Sequence, residues 1–354
     1  MLPGSNPVNR KDAGEEYFHR AEKHRKSAAY SAAIGFYKRA LTFYKKGSDI
    51  TGTLNCFLAL ADTLRAKGEF AKARSVYTEG LGIAEALDDR ASVADALVGL
   101  GLSVRALGEW REALAMVNKA ATMYRALDDR NGVAFSLWAR AGTYRIKGDI
   151  EQAVRAFHSA LEMFRSLKDR SGMAYSYCGL GGSSRVNREF RDSEKYYKIA
   201  NRMFSRLNDP FGLAYSFCGL GNARRMHDDY GNALLYFRKA EDLYRKIGDR
   251  VSYAYTLWSV GTTYTMTGQM KRALGIFKKS AAFFEQTKDP RGKIYCILGI
   301  GEVNYLMGDR RKAKNAFMRA LSQSDRKGFK LEMDYAEKLL KASQKGGAFP
   351  FNLP

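Results

Sequence analysis

Six arginines recur at a spacing of forty residues, Arg25, Arg65, Arg105, Arg145, Arg185 and Arg225, and the register runs on as Thr265 and Tyr305. A guanidinium is a permanently charged fork of donors, so a row of them can clamp an extended polyanion, either an acidic peptide or a phosphate backbone. Four residues after five of these arginines stands an acid, at Glu69, Glu109, Asp149, Glu189 and Asp229, and Gln269 replaces it where Thr265 replaces the arginine. The matched loss predicts a local ion pair across a turn. An exposed pair of that kind contributes about 0–1 kcal/mol, which leaves open whether the row is free for a ligand. A second row is aromatic, Phe135, Tyr175, Tyr215, Tyr255 and Tyr295, preceded in register by Asn55 and Asp95. Three residues further along stand Trp138, Cys178, Cys218 and Trp258, and seven further along Asp62, Gly142, Gly182, Asn222, Thr262 and Glu302. Helical spacing puts these positions on one face, which changes from acidic at Asp62 and Asp95 to aromatic from Phe135 onward. Tyrosine offers contact area and a hydroxyl at low entropic cost.

The remaining chemistry is thin. His19, His24, His158 and His227 are scattered without a recurring cysteine or acid, and Cys56, Cys178, Cys218 and Cys296 contain no CxxC pair. Zinc ligation, a phosphate loop and a nucleophile elbow all lack their spacing, so no metal, cofactor or catalytic residue is expected. Cys178 and Cys218 hold equivalent positions one repeat apart, roughly 10 Å by helix packing, beyond disulfide reach.

The elements that carry these rows follow from the same period. A small residue returns at Ala33, Ala73, Ala113, Ala153, Ala233, Ala273 and Ala313, with Ser193 filling the gap. A fixed period of this length marks units that bury their apolar faces only by stacking on their neighbours. Each unit reads as a helix ending near Arg65, Arg105 or Arg145, a turn such as Lys67-Gly68, and a second helix ending near Leu87, Leu127 or Leu167. Ala21, Ala61, Gly101, Ala141, Gly181, Gly221, Gly261 and Gly301 fill one column of the first helix; glycine there costs about 1 kcal/mol against alanine, which implies close helix packing. Tyr37, Tyr77, Val117, Phe157, Tyr197, Phe237, Phe277 and Phe317 form a core column in the second helix. Asp89, Asp129, Asp169, Asp209, Asp249 and Asp289 stand between units, where a carboxylate caps the following helix, and Pro210 and Pro290 suit the first helical position.

In its pattern of a large residue, a Leu-small pair, an aromatic and Ala-x-x-x-Phe-x-x-Ala, carried by Phe217, Leu220-Gly221, Ala233, Phe237 and Ala240, the chain resembles the tetratricopeptide repeat (TPR) family. The longer period resembles its longer-helix subclass of Pins-type adaptors, kinesin light chains and Rap-type regulators. The resemblance implies an all-α, right-handed superhelical solenoid of about eight helix-turn-helix units plus a C-terminal capping helix. Residues 1–12 are expected to be flexible, 13–323 to form the solenoid, 324–345 the capping helix, and 346–354 a flexible tail whose two phenylalanines leave room for a docking motif. The family binds ligands along its concave first helices. The expected groove residues are therefore Phe135, Trp138, Tyr175, Tyr215, Asn222, Tyr255, Trp258 and Tyr295, with Arg105, Arg145, Arg185 and Arg225.

The chain of 354 residues is 45% hydrophobic and 27% charged, an ordinary soluble composition, and carries a formal net charge of +22 that favours anionic partners. Residues 51–100 hold five basic and seven acidic side chains, whereas 251–354 hold eighteen basic and eight acidic. No apolar run suits a membrane span and the first residues do not read as a secretory signal, so a cytoplasmic protein is expected. The leading expectation is a non-catalytic adaptor holding an extended or helical peptide segment, for which the arginine row suggests an acidic one. The alternative is RNA or single-stranded nucleic acid stacked on the tyrosines, and self-association through an end repeat is a third.

Overall fold

The computed structural model describes residues 8–345 and 349–353. Among them are seventeen α-helices and no strand. α1 (Val8–Lys26), α2 (Tyr30–Lys46), α3 (Ile50–Ala66), α4 (Phe70–Ala86), α5 (Arg90–Ala106) and α6 (Trp110–Ala126) open the chain. α7 (Arg130–Lys147), α8 (Ile150–Ser166), α9 (Arg170–Val186), α10 (Phe190–Leu207), α11 (Pro210–Met226) and α12 (Tyr230–Ile247) follow. α13 (Arg250–Met266), α14 (Met270–Thr287), α15 (Pro290–Leu306), α16 (Arg310–Lys327) and α17 (Lys330–Lys345) complete it. Among the described residues no helix is long and apolar enough to cross a membrane.

From Tyr30 onward a helix begins every twentieth residue, so the forty-residue unit is two helices in equal register. Each reversal is made by one residue with positive φ, and these also recur every twenty positions, from Ala28 and Ser48 to Gly308 and Gly328. A left-handed residue at the helix end closes the last carbonyls and turns the chain sharply. Joints of two or three residues then force neighbouring helices antiparallel. Asp49, Asp89, Asp129, Asp169, Asp209, Asp249 and Asp289 each accept the backbone N–H three residues on, capping the odd-numbered helices.

Stacking is set by aromatic rings seated in glycine hollows. The Tyr197 ring of α10 lies against Gly181 of its own unit and Gly219 of the next. A Cβ built on Gly219 would fall 2.1 Å from that ring. Tyr77 meets Gly99, Phe157 meets Gly179 and Phe277 meets Gly299 in the same way. Gly219→Ala is therefore expected to destabilise the protein by about 1–3 kcal/mol through overpacking, despite a gain of about 1 kcal/mol in helix propensity. A thermal melt checks the sign, and Tyr197→Leu in the same chain should recover part of the loss.

Two boundaries differ from expectation. α1 begins at Val8, ahead of residue 13, because the polar run Asn9-Arg10-Lys11-Asp12 extends a helix without showing an apolar period; residues 1–7 lie outside the described residues. At the other end the solenoid does not stop at residue 323: α16 runs to Lys327, Gly328 is left-handed and α17 starts forty residues after α15. Phe329 stands in the aspartate column and is fully buried, so the capping helix is the first helix of a ninth unit. It buries Glu332, Tyr335, Ala336 and Leu339.

The solenoid winds back onto itself about four and a half units further along. Gly68 meets Asp249 and Val251, Gly108 meets Pro290 and Phe329, and Gly148 meets Lys330 and Leu331. Gly108 has φ +89° and a Cβ there would lie 2.7 Å from Pro290, so both backbone and contact call for glycine. Trp110 donates its ring N–H to the Lys327 carbonyl at 3.0 Å, and Lys327 pairs with Glu109 at 2.8 Å. The two turns of the superhelix are thereby sealed along one edge.

Candidate ligand channel

The odd-numbered helices and the joints leading into them surround a cavity of ≈ 1000 Å³, at the upper end of the roughly 300–1,000 Å³ usual for ligand clefts. Arg25, Arg65, Arg105 and Arg145 line it, with Phe135, Trp138, Tyr175, Tyr215 and Tyr255. The acids Asp95, Asp129, Asp169, Asp209, Asp249 and Asp289 also reach it. Asp95 stands within α5 on the face that the sequence made acidic; the other five are helix caps, legible as caps but not as channel groups, a role that follows from their place where each first helix enters the wall. Burial raises the carboxyls of Asp249 and Asp289 even though backbone N–H groups bond them.

The ion pair expected across each turn does not form. Glu69 binds Lys67 at 2.9 Å and Lys72 at 2.6 Å, Glu109 binds Lys327, Asp149 binds Lys147 at 3.4 Å, and Asp229 binds Arg224 at 3.4 Å. The left-handed turn residue swings the start of the even helix, and its acid, away from the inner face that carries the arginine. Compensation instead comes from three residues upstream. Arg25 pairs with Glu22 at 2.6 Å and Arg65 with Asp62 at 2.8 Å, and each acid also accepts a tyrosine hydroxyl, from Tyr37 and Tyr77.

In the next three units that upstream place is held by Leu102, Gly142 and Gly182. Arg105 lies flat over Gly142, where a Cβ would come within 2.3 Å of its Nη1, and donates to the Ala139 carbonyl at 3.2 Å. Arg145 lies over Gly182 in the same way and reaches the Tyr215 hydroxyl at 3.5 Å. Arg185 holds Nε and Nη1 buried with no partner among the described residues. Burial first, and then Arg145 and Arg65 beside it, push the Arg105 guanidinium down to about 10. The middle of the channel thus carries a row of arginines without carboxylates, preceded by an acidic stretch at Glu22, Asp62 and Asp95. Burial and the neighbouring acids raise the Asp95 carboxyl, which accepts the Tyr124 hydroxyl at 2.6 Å.

The aromatic column divides. Phe135 and Trp138 stack with centroids 5.6 Å apart. Tyr175 packs T-shaped with Phe204 and donates its hydroxyl to Asp209 at 2.7 Å, and Tyr255 packs T-shaped with Phe284. Trp258 and Tyr295 belong to the wall: both are 6% exposed, and the Trp258 ring N–H donates to the Tyr295 carbonyl at 3.1 Å. Tyr295 accepts from Arg291 at 3.0 Å, and Arg291 pairs with Glu332 of α17 at 2.6 Å. Arg291, which also reaches the channel, lies outside the forty-residue arginine register and so carried no sequence signal.

The profile of the tetratricopeptide repeat matches residues 92–166, and a second profile of the same repeat matches residues 56–91. Residues 56–166 are tetratricopeptide repeats. The same helix pairs continue in register on both sides of the matched span. Among solved structures, a Rap protein complexed with Competence and Sporulation Factor is 10% identical with a TM-score of 0.62, covering 95% of this chain and 98% of that one. The apo form of RapI is 15% identical with a TM-score of 0.56 over 77% of this chain and 98% of its own. A signal transduction ATPase with a tetratricopeptide-repeat sensor, from Pyrococcus horikoshii, is 16% identical with a TM-score of 0.51, covering 95% of this chain and 52% of its own. These likenesses are of fold. No curated protein sequence matches the chain.

Beyond the middle of the channel, Asn222 and Arg225 do not face open space. The segment 349–353 lies across them, contrary to the flexible tail expected, while residues 346–348 and 354 lie outside the described residues. Arg225 Nη2 donates to the Leu353 carbonyl at 2.8 Å and to Asn222 Oδ1 at 3.2 Å, and Asn352 Nδ2 donates to the Arg225 carbonyl at 2.9 Å. A segment outside the repeat period gave no sign in the sequence of where it would dock. Among the described residues no cluster of His, Cys, Asp and Glu suits a metal ion.

Proposed function

We propose that this protein is a non-catalytic, cytoplasmic binding module whose channel receives an extended acidic segment of another protein. The carrying observation is that Arg105 and Arg145 line the channel in successive units with no carboxylate to meet them among the described residues, and that Arg185 in the next unit holds Nε and Nη1 buried without a partner. Carboxylates of the segment pair with these arginines, and its apolar side chains rest on the stacked Phe135 and Trp138 and on Tyr175 and Tyr215. Successive units stand roughly 10 Å apart. A polyproline II strand rises about 3.1 Å per residue with three residues per turn, so acids at every third position face successive arginines. A solved Rap protein of the same fold is complexed with Competence and Sporulation Factor, which supports a binding role for this fold.

Nucleic acid is the weaker reading. Tyr175 and Tyr255 are half-buried and packed against Phe204 and Phe284 of the wall, whereas base stacking needs free ring faces. The test is fluorescence anisotropy of a labelled Glu-Pro-Pro repeat peptide, its Lys-Pro-Pro counterpart and random single-stranded RNA, each at 50 and 200 mM salt. The glutamate peptide is expected to bind and the lysine peptide to fail. Binding of RNA alone would overturn the reading.

A further inference from the structure

The channel has two arms built from the same two columns of residues. In the arm of Arg105, Arg145 and Arg185 the upstream column is Leu102, Gly142 and Gly182, and no polar side chain of that column answers the arginines. In the far arm the same columns read Asn222 with Arg225 and Glu302 with Tyr305, and all four touch one another or the segment 349–353. Arg225 donates to the side-chain oxygen of Asn352 as well as to the Leu353 carbonyl. Glu302 accepts the Phe351 backbone N–H. The Phe349 ring stacks on Tyr305 with centroids 4.1 Å apart, and Phe351 meets Phe349 edge-on at 5.2 Å. Leu353 is buried in the cluster that holds Trp258 and Leu298.

Two features separate this arrangement from incidental packing. Arg225 is fully buried and Glu302 is 3% exposed, and a charged side chain at that depth needs hydrogen-bond partners. The segment supplies them: the Leu353 carbonyl and Asn352 amide to Arg225, the Phe351 N–H to Glu302. The contacts are also those by which a groove reads a peptide, with main-chain groups held by side chains and rings set in apolar seats.

We infer that residues 349–353 are an intramolecular peptide ligand, which fills the Asn222, Arg225, Glu302 and Tyr305 arm and must leave before an external peptide can use the full channel. The competition rests on the reading of the channel as a peptide site, whereas the docking of the segment stands without it. Only three residues separate Lys345 from Phe349, so the segment faces its site at an effective concentration in the millimolar range. A weak peptide can thus keep the arm filled.

The experiment uses the full chain and a labelled peptide, Gly-Ala-Phe-Pro-Phe-Asn-Leu-Pro, added in trans. The variant Phe349→Ser/Asn352→Ala, whose own segment no longer docks, is expected to bind this peptide at least tenfold more tightly than the unaltered chain. Adding Arg225→Gln to that variant should abolish the binding, and circular dichroism melts confirm that each variant is folded. Equal binding by variant and unaltered chain, or none by the variant, overturns the inference. Affinity for the Glu-Pro-Pro peptide should rise in the same variant. If that peptide binds neither form while the trans peptide binds the variant, the acidic-ligand reading fails and the self-ligand stands.

Discussion

Arg291→Ala is expected to lower the stability of the C-terminal end by about 3–5 kcal/mol, the usual loss when one partner of a buried ion pair is removed. Arg291 binds Glu332 at 2.6 Å, and their side chains are 14% and 0% exposed. The second oxygen of Glu332 has no partner among the described residues, so Arg291 is the group that compensates its charge. The pair joins α15 to α17, and stacked repeats exchange stability mainly with their neighbours. The loss should therefore appear first as early melting of α17, seen as hydrogen exchange over residues 330–345 ahead of the main thermal transition. The double variant Arg291→Met/Glu332→Leu separates charge from packing, because replacing a buried pair by apolar residues of similar size is often neutral or stabilising. If the double variant melts as early as Arg291→Ala, the carboxylate is not what the arginine answers.

The repeat, its caps and its core columns were legible because each is a local requirement at fixed spacing. Asp209 had to cap α11 whatever lay across the channel, and Tyr197 had to find a small residue in the next unit. Contacts made across the superhelical turn were not legible, since nothing in the neighbourhood of Gly108 announces Pro290 or Phe329. The arginine partners were misread for a related reason. A spacing of four across a turn suggests a pair, but the left-handed residue at the turn sends the two side chains to different faces, and the acid three residues upstream, on the same helix face, decides. Trp258 and Tyr295 share columns with Trp138 and Tyr175 yet are buried, because α17 and Leu353 pack in the same cluster and no counterpart covers the earlier units.

Arg105→Gln is expected to move stability and binding in opposite directions. In the free protein the Arg105 guanidinium is held down at about 10 from 12.5 by burial and by the like charges of Arg145 and Arg65. A depression of that size corresponds to a cost of about 3 kcal/mol for keeping the charge in the folded state. Because the folded value lies below the unfolded one, the cost is fully present at neutral pH and is relieved only as pH rises through about 10. Glutamine removes the charge but forfeits the bond to the Ala139 carbonyl and the cation face of Trp138 at 6.0 Å, so a net gain of about 1 kcal/mol is expected. The gain over the unaltered chain should hold constant in melts from pH 7 to pH 9 and shrink only as the pH is taken above about 10. Affinity for the Glu-Pro-Pro peptide should meanwhile fall about tenfold to a hundredfold, the worth of one hydrogen bond between charged groups. An arginine that served only the fold would lose stability on replacement and leave binding to fall in proportion. An arginine kept at a cost to stability is one whose partner arrives with the ligand, and a variant that melts higher and binds less is the combination that this arrangement of charges requires.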